Sequence, residues 1–243
     1  MKLQNKVAIV TGSTSGIGKY AAIALAAAGT SVTVTGRRVE QGEQVVQEIQ
    51  ASGGKAIFVQ ADITLEETYA RLVNETLQAF GRVDILVNNA GNLIEKPFLE
   101  LTKEDFQQFI TLDGYAYFRM MQEVIPHMKQ GGSIINVTSL AAINTIPTHS
   151  LYSFVKAGVT QMSKGVAQEF ARQNIRVNCL LPGAVDTEMV AGNPNSDFIR
   201  SMIPMQRFST PEEQANIIVF LASDDSSYIT GSSIVADGGV RGI

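Results

Sequence analysis

The segment Leu151-Tyr152-Ser153-Phe154-Val155-Lys156 holds two side chains able to share control of one proton. Tyr152 and Lys156 are four residues apart, a spacing that places both on one face of a helix. A phenol titrates at about 10 in water, so it moves protons poorly at neutral pH unless something stabilises the phenolate. A neighbouring ammonium does so. Ser139 lies thirteen residues before Tyr152 and ends an apolar run, 132–138, that reads as a buried strand. A hydroxyl at that strand end can meet the first turn of the helix that follows. Taken alone, the pair also suits an ordinary helix; the rest of the chain argues for chemistry.

Short apolar runs at 7–11, 31–35, 55–60, 83–88, 132–138, 175–181 and 233–236 alternate with amphipathic stretches near 17–28, 39–51, 65–80, 102–129, 151–173 and 211–222. That alternation predicts βαβ units with right-handed crossovers. The expected fold class is α/β: a single Rossmann-type, doubly wound parallel sheet of about seven strands with helices on both faces. The 243 residues carry no linker or low-complexity tract, which predicts one domain over 1–243. Asp186–Thr210 interrupts the rhythm with two of the seven prolines and with Met189, Phe198, Met202, Ile203, Met205 and Phe208. A loop of that length and apolar content is expected to cover a ligand.

Composition narrows the function classes. A net charge of −4 argues against nucleic acid or an anionic membrane as partner. One cysteine, Cys179 in an apolar run, excludes an internal disulfide and is expected to be buried; with two histidines it leaves too few ligands for zinc. No apolar run reaches 18 residues and Met1–Lys6 is polar, so a cytoplasmic protein is expected.

The carboxyl ends of the expected strands carry the binding chemistry. Thr11-Gly12-Ser13-Thr14-Ser15-Gly16-Ile17-Gly18 follows the first strand and opens a helix. Its glycines permit close backbone approach, and the helix N-terminus faces an anion such as a dinucleotide pyrophosphate. After the second strand, Gly36 offers no carboxylate to a ribose hydroxyl, whereas Arg37 and Arg38 suit a 2′-phosphate. Asp62, before Ile63, could accept from an adenine amine or could belong to a helix start, where Thr64 and Glu67 have capping-box spacing. Asn88-Asn89-Ala90-Gly91 leaves room for a flat ligand at the same edge.

The chain resembles the short-chain dehydrogenase/reductase family throughout its length. The matching residues are Thr11-Gly12-xxx-Gly16-x-Gly18, Asp62, Asn88-Asn89-Ala90-Gly91, Ser139, Tyr152-xxx-Lys156, Pro182-Gly183 with Thr187, and Thr230-Gly231 with Asp237-Gly238-Gly239. The resemblance implies a single dinucleotide-binding oxidoreductase domain in which Tyr152 is the general acid/base, Ser139 holds the substrate oxygen, and Lys156 lowers the tyrosine pKa and binds the nicotinamide ribose. It implies cofactor contacts from Gly12, Ser13, Ser15, Gly16, Ile17, Gly18, Arg37, Arg38, Asp62, Ile63, Asn89, Ala90, Gly91, Pro182, Gly183, Val185 and Thr187. The arginine after strand two implies NADP (NADPH) rather than NAD. The family's asparagine in a pattern Asn-Leu-x-Gly, part of a proton relay, is matched here to Thr111 of Thr111-Leu112-Asp113-Gly114. The resemblance further implies a homotetramer, paired through the helices at 102–129 and 151–173 and completed by 233–243.

The expected activity is hydride transfer between NADP(H) and a small carbonyl or secondary alcohol. Leu93, Ile143 and Ile146, with the methionine-rich loop, would form an apolar pocket, and His149 is expected in an exposed loop. The alternative is reduction of a 3-oxoacyl thioester on an acyl-carrier protein, against which the absence of a basic run weighs. A dinucleotide-binding regulator without turnover is the third reading, favoured by Thr111 alone.

Overall fold

The computed structural model describes residues 2–188 and 195–240. Seven parallel strands form one sheet: β1 (Val7–Val10), β2 (Ser31–Gly36), β3 (Lys55–Gln60), β4 (Ile85–Asn88), β5 (Gly132–Val137), β6 (Ile175–Pro182) and β7 (Ser233–Ala236). Their spatial order is β3-β2-β1-β4-β5-β6-β7. The order reverses between β1, which pairs Val10 with Val34 of β2, and β4, whose Val87 also pairs with Val10. Clefts at the carboxyl edge open where the order reverses.

Strand residues alternate between faces, so each strand feeds two cores. Ala8, Val10, Ile135 and Val137 pack under α1 (Gly16–Ala27), α2 (Val39–Ala51) and α8 (Pro211–Ala222). Ile9, Leu86, Ile134 and Val177 pack under α3 (Glu66–Phe80), α5 (Ala116–Val124) and α6 (Ser150–Phe170). Cys179 is buried among these strands, and burial pushes its thiol up.

Two helix starts differ from expectation. Thr64 and Glu67 form no capping box: Asp62 accepts from the Thr64 N–H at 3.0 Å and its hydroxyl at 2.7 Å, and α3 starts at Glu66. The helix expected over 102–129 is broken. Thr102 and Asp105 form a reciprocal capping box that starts α4 (Lys103–Ile110). The chain then makes a π-helical turn over Thr111–Tyr115 before α5. Such a turn holds one residue more than an α-turn, which rotates the side chains on either side relative to one another.

The site-bearing helix α6 is fixed to the sheet by a buried amide. Asn136 donates to Ser163 of α6 at 2.8 Å and accepts from Asn88 of β4 at 2.9 Å, with no solvent exposure. Asn136→Leu removes both bonds from the interior, leaving Asn88 with a 3.4 Å contact to Tyr117 O and Ser163 with its bond to Val159 O; each lost hydrogen bond costs about 1–3 kcal/mol. The expected loss is about 2 kcal/mol or more in urea unfolding, and a stability equal to wild type would contradict this role.

Candidate functional site

At the carboxyl edge of the sheet, an open cleft of about 1390 Å³ runs from Arg37 and Arg38 past the loop after β1 to Ser139, Tyr152 and Lys156. The loop is braced from below. Thr11 Oγ1 accepts from the N–H groups of Asn89 and Ala90 at 2.9 and 3.0 Å, and the Asn89 amide donates to Thr11 O and Gly12 O, both at 3.1 Å. Gly12 has a left-handed φ of +62°, and a Cβ there would lie 2.7 Å from Ala90 Cα. The loop therefore sits against the β4 edge in a conformation that a side chain would break.

At the other end the Tyr152 ring is held edge-on by Phe109 at 5.8 Å and His149 at 5.9 Å, with Lys156 Nζ 5.7 Å from its centroid. Ser139 Oγ accepts from the Ala141 N–H at 3.1 Å, which fixes the hydroxyl at the end of β5 beside the cleft. Lys156 is buried, its side chain 4 % exposed, and meets the fully buried Asp113 carboxylate at 2.8 Å. Burial alone would push the ammonium pKa down; the Asp113 carboxylate, with Tyr117 and Tyr152, more than offsets this and leaves it raised. Tyr117, whose ring centroid lies 5.2 Å from Lys156 Nζ, has its own phenol pushed well up by burial.

The sequence family described as enoyl-(acyl carrier protein) reductase matches residues 12–241. A 3-oxoacyl-[acyl-carrier-protein] reductase of Synechocystis is 40 % identical, with 98 % of each chain covered. FabG of Thermotoga maritima, another 3-oxoacyl-[acyl-carrier-protein] reductase, is 37 % identical over 99 % of each chain. A 7alpha-hydroxysteroid dehydrogenase of Clostridium sardiniense is 36 % identical over 95 % of this chain and 91 % of its own. Among solved structures, a dehydrogenase/reductase from Sinorhizobium meliloti superposes with a TM-score of 0.96 at 34 % identity, covering 99 % of this chain and 96 % of that one. The chain belongs to the short-chain dehydrogenase/reductase family. It is an oxidoreductase.

Most residues singled out from the sequence meet in this family cleft. Gly12, Ser15, Gly16 and Ile17 line it from the first loop, Arg37, Arg38, Asp62 and Ile63 from the ends of β2 and β3, and Asn89, Ala90 and Gly91 from β4. Pro182, Gly183, Val185 and Thr187 line it after β6. Burial would raise the Asp62 carboxyl, but hydrogen bonds from Thr64, helped by the Arg37 guanidinium, hold it below the ordinary carboxylate value.

Five residues sit differently from what the sequence suggested. Ser13 does not line the cleft: its N–H donates to Thr35 O at 2.9 Å, its hydroxyl donates to Val10 O at 2.6 Å, and the residue is fully buried. Gly18 lies beneath the cleft, where a Cβ would come within 2.4 Å of both Gly12 O and Asn89 Nδ2, so its smallness serves packing. His149 is buried rather than exposed, at 9 %, with Nε2 3.4 Å from a Glu95 carboxylate oxygen. Ile143 is exposed and does not line the cleft, although Leu93 and Ile146 do. Thr111 lines the cleft but spends its hydroxyl on Gln107 O at 2.8 Å; Asp113, two residues on, occupies the place against Lys156. Asp113 lies within the π-helical turn, and Gly91 leaves room for it, since a Cβ there would lie 2.4 Å from Asp113 Oδ1. Asp113 is the lone charge between Gln107 and Phe118, a signal the sequence did carry. The bracing by Thr11, the contact of Thr14 with Arg38 and the place of Tyr117 against Lys156 were not read from the sequence.

The segment after β6 is closed at its base. Asp186 N–H donates to Ser209 O at 2.9 Å and Ser209 N–H to Ala184 O at 3.1 Å. Between them α7 (Ser196–Met202) turns Phe198, Ile199 and Met202 toward the cleft, whereas Met205 does not line it; Met189 lies outside the described residues.

The Gly18 geometry gives a direct test of the loop. Gly18→Ala must displace both the Gly12 carbonyl and the Asn89 amide, so dinucleotide affinity is expected to fall at least about tenfold, equal to roughly 1.4 kcal/mol. Nucleotide fluorescence titration measures it, and an unchanged affinity would remove the close approach from the account.

Proposed function

We propose that this protein is an NADPH-dependent reductase of ketones, running also as a secondary alcohol dehydrogenase. The observation that carries the reading is one continuous cleft with two arginines at one end and Ser139, Tyr152 and Lys156 at the other. The glycine cradle fits a dinucleotide, because Gly12 and Gly36 bring backbone to the cleft wall where side chains would collide. Bound NADPH would supply the hydride.

In this reading, Arg37 and Arg38 hold the 2′-phosphate, and the free N–H groups at the start of α1 face the pyrophosphate. Arg38 is available for that role: its present partners, Thr14 Oγ1 at 3.3 Å and a Glu188 carboxylate oxygen at 3.4 Å, are weakly placed. Gly36 does more than lack a carboxylate, since a Cβ there would lie 2.7 Å from the Thr14 methyl carbon. Ser139 and Tyr152 donate to the substrate oxygen as negative charge develops on it, and Tyr152 then yields its proton. Lys156 holds the resulting phenolate by its charge.

The segment 186–210 acts as substrate lid over one domain spanning 1–243, and Phe198, Met202 and Ile146 give it an apolar lining. Phe106 and Phe154 stack at 5.8 Å on the outer face of α4 and α6, 43 % and 56 % exposed, which supports the pairing of subunits toward a homotetramer. A cytoplasmic location rests on the family reading. The second reading, a 3-oxoacyl-thioester reductase, is favoured by the names of the relatives described above.

A panel of ketones and 3-oxoacyl thioesters, followed by NADPH absorbance, tests both readings; oxidation by at least one member is expected, and none would overturn the proposal. Tyr152→Phe should lower turnover by roughly two to four orders of magnitude while NADPH still binds. Turnover within about threefold of wild type would remove the phenol from the acid role. The wild type should prefer NADPH over NADH in kcat/KM by about tenfold to a hundredfold, and Arg37→Ala with Arg38→Ala should erase that preference. Equal use of both nucleotides at low salt would contradict the 2′-phosphate site.

A further inference from the structure

Lys156 is usually thought of as a single positive charge acting on a phenol, but here a second charge shares it. Asp113 Oδ1 lies 2.8 Å from Lys156 Nζ, and its other oxygen accepts from the Asn92 N–H at 3.1 Å. Neither Asp113 nor Lys156 has appreciable contact with solvent, so water screens their field little. The pair is built in from three directions: the π-helical turn aims Asp113 inward, Gly91 leaves room for it, and α6 presents Lys156.

We propose that Asp113 is a positioning residue that offsets the Lys156 charge, keeping Tyr152 in its proton-donating form to higher pH and so adapting the site to carbonyl reduction. The proposal rests on the reductase reading above. In that reaction the carbonyl carbon gains a hydride from NADPH, the carbonyl oxygen takes the Tyr152 proton, and the products are alcohol, NADP⁺ and a phenolate that solvent reprotonates. A site that holds the phenol protonated extends this direction toward alkaline pH. With Asp113 neutralised, the phenolate becomes the anionic partner left to the ammonium, and the phenol ionises earlier.

The charged and titratable groups facing the cluster are Asp113 from the π-helical turn, Tyr117 from α5, Lys156 and Tyr152 on α6, His149 with Glu95 beside the start of α6, and Cys179 from β6. All but Asp113 are the same in the variant that tests the idea. Asp113→Asn keeps the shape and removes the charge. The readout is tyrosinate ultraviolet absorbance against pH, taken as the difference from Tyr152→Phe in each background, without nucleotide or substrate. The expected result is a Tyr152 midpoint lowered by about one to two pH units in Asp113→Asn, and in Asp113→Ser, relative to wild type. The alkaline limb of the reduction kcat should move down with it. An unmoved or raised midpoint overturns the proposal. Failure of both variants to fold also overturns it, by making Asp113 a structural group. Because the absorbance needs no substrate, a negative result leaves the reductase reading standing, and an inactive substrate panel leaves the midpoint measurable.

Discussion

Lys156 carries a charge that the fold has almost wholly removed from water, and much of the surrounding architecture is needed to hold it there. An isolated ammonium in such a place would lose its proton. Three elements prevent this: the turn between α4 and α5 supplies Asp113, α5 supplies the face of Tyr117, and α6 itself supplies Tyr152 one turn earlier. The Asn88–Asn136–Ser163 chain then ties α6 to β4 and β5. Breaking one partner of a buried pair leaves the other uncompensated, which costs far more than the pair contributes net. That asymmetry makes the arrangement rigid.

The opposite end of the cleft follows a different physical rule, close approach of backbone. Gly12 against Ala90, Gly18 against Gly12 and Asn89, and Gly36 against Thr14 are contacts that a single methyl group would break. They bring the loop after β1, the end of β2 and the end of β4 within reach of one extended ligand. Asn89 and Thr11 spend their polar groups on bracing this loop, so the surface offered to a ligand is largely backbone. A cradle of backbone and a buried charged cluster thus stand at opposite ends of one cleft.

Much of this was legible in the sequence because period and punctuation agree. All seven strands lie within two residues of the apolar runs that indicated them, since parallel strands buried on both faces leave little freedom in composition. Ser139, Tyr152 and Lys156, singled out by type and spacing, meet at one end of the cleft. What was not legible depended on local geometry. Thr111 and Asp113 differ by two residues along the chain and so face opposite sides of the helix, and the hydrophobic pattern did not tell which of them faces Lys156. Ser13 has the right type for a phosphate loop but lies under it, because its two donors are drawn to Val10 O and Thr35 O. Thr64 has the right type for a helix cap, yet Asp62 captures it first. In each case a short polar side chain had two nearby partners, and only the fold chose between them.

The central claim is that hydride delivered at this cleft and a proton held by Tyr152 reach the same carbonyl group. It is tested most directly by incubating the wild-type protein with NADPH deuterated at nicotinamide carbon 4 and a carbonyl panel, then reading the alcohol by mass spectrometry. The account predicts an alcohol carrying a single deuterium on its carbinol carbon, formed by wild type and nearly lost in Tyr152→Phe. Unlabelled alcohol, or labelled alcohol formed equally well without the phenol, would contradict it.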